Sequence, residues 1–111
     1  MTADGFRKLA LGLPEATEGA HMAHPDFRVR GKVFATLGYP DAGFGMVKLQ
    51  PAQQEALVTA EPSVYSPVSG GWGRRGATLV RLRIANARSL KLALLLAWRN
   101  TAPAALVRRS G

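Results

Sequence analysis

The chain of 111 residues contains no cysteine. That excludes a disulfide, a thiolate metal site and a cysteine nucleophile, and it suits a reducing compartment. Acids are missing from a long stretch: none follows Glu61. Long apolar runs are missing too. The longest, residues 92–98, falls well short of the roughly 18 residues needed to cross a bilayer. Met1-Thr2-Ala3-Asp4 has neither the basic start nor the apolar stretch of a signal peptide. The expectation is a cytoplasmic domain with no membrane partner. The length fits one domain, and an apolar share of 47% is enough for a single core.

The charge is plentiful and unevenly placed. Lys and Arg number 15 against 7 acids, a formal net charge of +8. Residues 1–61 hold six bases and all seven acids, and residues 62–111 hold nine bases and no acid. A basic balance favours acidic partners, nucleic acid among them.

Thr2 can cap a first helix, with Phe6, Leu9, Ala10 and Leu13 at helical spacing along one face. Gly12 and Pro14 end it. Residues 17–23, 27–30, 32–37 and 44–49 read as strands, with a turn at Gly31 and a loop over residues 38–43, an antiparallel meander. Pro51 suits the first turn of a second helix, ended by Pro62. Residues 62–76 form a turn-rich connection that carries Tyr65 and Trp72. Residues 77–84 alternate, which puts Val80, Leu82 and Ile84 on one face and Leu79, Arg81 and Arg83 on the other. Asn86 or Ser89 can cap a last helix over residues 90–101, leaving 103–111 as a basic tail of a single domain with its core over residues 3–102. The fold class is α+β: an antiparallel sheet with an N-terminal, a middle and a C-terminal helix.

Gly71-Trp72-Gly73-Arg74-Arg75-Gly76 matches the dinucleotide-binding glycine pattern, but that site needs a preceding strand, a following helix and an acid about 20 residues on. With no acid downstream the cofactor reading fails. The pattern reads as a glycine-rich turn whose Arg74 and Arg75 can hold phosphates. Trp72 either stacks on a base or plugs the core, and a lone Trp in a small domain more often packs. Arg28, Arg30 and Lys32 flank the Gly31 turn and make a second basic tip. The two tips, with Arg81 and Arg83, make a candidate clamp on a nucleic-acid backbone. His21 and His24, with Glu18 and Asp26 nearby, would share a face only in a helix, and Pro25 opposes one. No metal site, cofactor or catalytic set is therefore expected. The last helix is apolar nearly all round: Leu90, Leu94, Ala97 and Trp98 on one side, Leu92, Ala93 and Leu96 on the other. That pattern predicts a homodimer or partner contact through Leu92 and Leu96.

These residues also carry a resemblance. Asp4-x-Phe6-Arg7-x-Leu9-Ala10-Leu11-x-Leu13-Pro14-Glu15 and His24-Pro25-x-Phe27-Arg28-Val29-x-Gly31-Lys32-x-Phe34-Ala35-Thr36-Leu37 resemble blocks of the MmcQ/YjbR family. So do Pro51-x-x-Gln54-x-Ala56-Leu57, Trp72-Gly73-x-x-Gly76-x-Thr78 and Ala97-Trp98-Arg99-x-Thr101-Ala102-Pro103. The resemblance implies a CyaY-like, or double-wing, fold and DNA binding, and it brings no catalytic residues. It departs in one respect: the last helix of relatives often carries acids, and residues 89–101 carry none. The expected function is non-catalytic nucleic-acid binding of low sequence specificity. A protein-interaction or small anionic-ligand module, homodimeric through Leu92 and Leu96, is the alternative.

Overall fold

A computed structural model describes residues 1–110. Helix α1 (Ala3–Leu11) starts where the Thr2 side chain accepts a hydrogen bond from the Gly5 N–H at 3.0 Å, and it buries Phe6 and Ala10. Strands β1 (Ala16–His21), β2 (His24–Val29), β3 (Lys32–Leu37) and β4 (Phe44–Lys48) follow as an antiparallel meander. Helix α2 (Pro51–Ala60) has Pro51 in its first turn, where a missing N–H costs nothing. The chain then forms β5 (Tyr65–Pro67), a one-turn helix α3 (Gly71–Arg74), β6 (Ala77–Arg81), a 3-10 turn (Leu82–Ile84), α4 (Ala87–Thr101) and α5 (Ala104–Ser110). The sheet order is β1-β2-β3-β4-β6-β5 with every neighbour antiparallel. This is the expected α+β architecture.

Helix α4 packs on β3 and β4, and α1 packs on α4 and β1. Phe6, Phe27, Phe34, Val47, Leu94 and Trp98 meet in the core beneath them. The indole N–H of Trp98 donates to the Pro14 carbonyl at 2.9 Å, so its one polar atom is satisfied. A bulge in the β2–β3 pairing lets Phe34 and Ala35, neighbours in sequence, both be fully buried.

Four sequence expectations change. The first strand ends at His21, because Met22 and Ala23 form a tight turn with φ of +51° and +68°. That turn sets His21 opposite His24 across a hairpin, an arrangement the sequence concealed because neither turn residue is a usual turn former. The second strand stops at Val29, and Arg30 lies in the turn with φ of +51° beside Gly31 at +81°. Arg30 and Arg28 therefore do not share a strand face. The last strand stops at Arg81. The chain then tightens into the 3-10 turn, so Ile84 is 43% exposed and Arg83 leaves the strand face of Arg81. Finally, residues 104–110 are a helix rather than a tail, with Leu106 buried in the core and Val107 packed against it. Val107 and Ser110 of α5 border a groove with Leu95, Trp98 and Arg99 of α4. Ala93 is fully buried, Leu96 is half-buried against the core, and Leu92 stays 51% exposed.

Candidate functional site

Side-chain pairing sorts the charges. Arg7 bonds Glu18 at 2.9 Å and Asp4 at 3.0 Å. Arg28 grips Asp26 with two hydrogen bonds of 2.8 and 3.0 Å, and Asp26 is 1% exposed. Arg30 grips Glu15 in the same forked way at 2.6 and 3.0 Å, with Arg109 at 3.7 Å from that carboxylate. The tip at the Gly31 turn is therefore largely neutralised, and only its Lys32 carries no ion pair. Among the described residues Lys48, Arg74, Arg75, Arg81 and Arg83 also stand outside every salt bridge. Of the acids near His21 and His24 in sequence, Glu18 is held by Arg7 and Asp26 by Arg28.

The Glu15 pair has a pH consequence. Hydrogen bonds from Arg30 hold the Glu15 carboxyl below its ordinary 4.5, against an opposing desolvation. A carboxylate lowered on folding stabilises the native state above its unfolded value, and that stabilisation is lost as the pH falls through the folded value. Glu15→Gln should thus lower the melting temperature slightly at neutral pH, since an exposed pair contributes little. The gap between wild type and variant should close well below pH 4.5. Thermal melts of both proteins across that range check it.

The glycine-rich segment Gly71–Gly76 has a different physical basis from a phosphate loop. A Cβ on Gly73 would lie 1.6 Å from the Val68 carbonyl oxygen, and one on Gly76 would lie 1.9 Å from that of Leu49. The amide of Gln54 donates to the Gly73 and Ala77 carbonyls, each at 3.0 Å, and the Thr78 hydroxyl donates to the Gly76 carbonyl at 2.8 Å. The glycines therefore let α3 press against two neighbouring backbones. The side chains beside them, Trp72, Arg74 and Arg75, are left outward, and Arg74 and Arg75 sit at a helical turn rather than a β-tip.

Trp72 is 61% exposed and does not plug the core. The Lys48 ammonium lies 5.6 Å from its ring centroid and the Arg75 guanidinium 5.8 Å, both within cation–π range. The ring borders a groove of about 220 Å³ lined by Lys48, Leu49, Trp72, Arg75, Asn100 and Thr101. Asn100 donates to the Lys48 carbonyl at 3.1 Å and to Gln53 at 2.8 Å, which fixes the end of α4 against the end of β4.

A second cation–ring pair lies on the same strands. The Arg81 guanidinium sits 5.0 Å from the Phe44 ring centroid, and the two residues are cross-strand partners. Alternation along β4 puts Phe44, Met46 and Lys48 on the face opposite Gly45 and Val47, with Arg81, Leu79 and Ala77 as their partners on β6. The result is a strip from Arg81 and Phe44 to Lys48, Trp72 and Arg75. It gathers Trp72, Arg75 and Arg81 from the residues expected by sequence, with Arg74 beside Arg75. Arg28 and Arg30 are spent on internal pairs, and Arg83 lies off the strand. Sequence reasoning missed Lys48 and Phe44, although the period of two over Phe44-x-Met46-x-Lys48 carried the signal. It also missed Asn100, for which no local signal exists.

The YjbR family model matches residues 11–100. Among solved structures, the crystal structure of Deinococcus radiodurans protein DR2400, with a DUF419 domain, superposes with a TM-score of 0.73 at 20% identity, covering 99% of this chain and 88% of that one. At that identity the likeness shows a shared fold. No curated protein matches the sequence. Among the described residues no helix is long and apolar enough to cross a membrane.

Proposed function

We propose that this chain, which belongs to the YjbR family, is a non-catalytic nucleic-acid-binding domain of low sequence specificity. One observation carries the reading. Arg7, Arg28 and Arg30 are absorbed by carboxylates, whereas Lys48, Arg75 and Arg81 stay unpaired beside exposed or half-exposed aromatic rings, with Arg74 adjoining. Guanidinium and ammonium groups in that setting suit phosphates, whose contacts position a protein without reading sequence. The binding surface is then one strip rather than the clamp of two basic tips.

The salt dependence of binding tests it. Four phosphate contacts, from Lys48, Arg74, Arg75 and Arg81, imply that log K falls with log[salt] at a slope of about −2.8 on a single strand or −3.6 on a duplex. Binding that is absent at low salt, or a slope near zero, would refute the reading.

The groove of about 220 Å³ beside Trp72 favours a second reading, a module for a small anionic ligand. A mononucleotide that binds as tightly as an oligonucleotide would select it, because a strip-long contact rewards chain length and a pocket does not.

A further inference from the structure

Resting on the nucleic-acid reading, we infer that the polymer is single-stranded and lies along the strip, with bases on the Trp72 and Phe44 rings and phosphates on Arg81, Lys48, Arg75 and the adjoining Arg74.

A duplex offers an exposed ring little to stack on. Its bases are stacked on both faces, so an indole standing in solvent has no base face to meet. A duplex is read instead by a helix or a two-stranded ribbon in the major groove. The longest helix, α4, is committed to the core through Leu90, Ala93, Leu94, Ala97 and Trp98, and α3 is a single turn. The β2–β3 hairpin could act as a ribbon, but Arg28 and Arg30 are held by Asp26 and Glu15. The sheet offers a surface of rings and cations. Single strands suit it, because their bases can splay out and stack on aromatic side chains while a basic groove follows the backbone.

The geometry of the strip supports this. Phe44 and Lys48 are four residues apart on one strand, a separation of about 14 Å at roughly 3.4 Å per residue. Each ring has its own cation: Arg81 at Phe44, and Lys48 and Arg75 at Trp72. A base on either ring therefore brings its phosphate within reach of a cation already in place. Met46 and Leu79 face each other between the two rings and supply an apolar floor. Every base has a π-face, so stacking tolerates any sequence.

Fluorescence anisotropy at low salt decides the matter, using one labelled oligonucleotide of about 12 nucleotides, within the range a small domain covers, and the duplex of the same sequence. The single strand should bind at least about tenfold more tightly. Trp72→Ala should weaken single-strand binding by about tenfold, the scale of one lost stacked base. The same change should alter duplex binding by less than about twofold, since phosphate contacts persist. Trp72→Phe, which keeps a ring, should recover most of the loss. Trp72 is exposed, so neither variant disturbs the core. Equal or tighter binding of the duplex overturns this inference and leaves the nucleic-acid reading standing. An unchanged single-strand affinity in Trp72→Ala overturns the stacking. Failure of both forms to bind overturns this inference and the reading beneath it.

Discussion

Gly76→Ala should lower the melting temperature by roughly 15 °C, from a loss of about 4 kcal/mol in a domain of this size. Two costs add. The backbone at Gly76 has φ of +114°, where a side chain is strained, and its Cβ would lie 1.9 Å from the Leu49 carbonyl oxygen. Strain of that kind costs about 1–3 kcal/mol and forced overpacking about 1–3 kcal/mol. Against a total stability of roughly 5–15 kcal/mol, the change removes a large share. Gly31→Ala separates the two costs. Gly31 has φ of +81° with nothing within 4 Å of a new Cβ, so only strain is added, about 1 kcal/mol. Circular-dichroism melts of both variants check the pair. Equal losses would show that close approach at Leu49 is not what demands glycine.

The double change Arg74→Glu and Arg75→Glu should weaken nucleic-acid binding about 100-fold at low salt while leaving the melting temperature unchanged. Charged hydrogen bonds contribute about 1.5–3 kcal/mol each, so two lost contacts amount to roughly 3 kcal/mol, or about 100-fold. The two new carboxylates add repulsion from phosphate. Neither arginine has a carboxylate partner among the described residues, and both are exposed, so the fold does not rest on them. The salt slope should also fall by about 1.4 on a single strand, two contacts at roughly 0.7 each. Anisotropy titrations at several salt concentrations measure both quantities. Binding that survives the reversal would place the contact elsewhere on the molecule.

Much of the fold was legible where a local rule applied. The Thr2 cap, the Pro51 start and the Gly31 turn each depend on one residue's backbone chemistry, and the strands of the meander follow from alternation. The failures have a common cause. The Met22–Ala23 turn uses residues with no turn signature. The 3-10 turn after Arg81 is held by Leu82 N–H bonding to the Gly43 carbonyl, a partner far away in sequence. Helix α5 is a short run whose Leu106 gains its burial only from the assembled core. The candidate site divides in the same way. Trp72, Arg74 and Arg75 announce themselves as a cluster in sequence. Asn100 and Lys48 reach the groove only through the packing of α4 against the end of β4.

The absence of cysteine and of any acid beyond Glu61 determined, by itself, which chemistries were excluded and that the second half of the chain would be cationic. It could not say which cations are free. In the folded protein Asp4 and Glu18 lie beside Arg7, Asp26 beside Arg28 and Glu15 beside Arg30; two of these contacts are local in sequence, and the Glu18 and Glu15 contacts exist only once β1 lies against α1 and β2. A charge count sums over the chain, whereas neutralisation depends on distance. Only the tertiary structure could show which part of the excess of +8 gathers as unpaired cations beside Trp72 and Phe44.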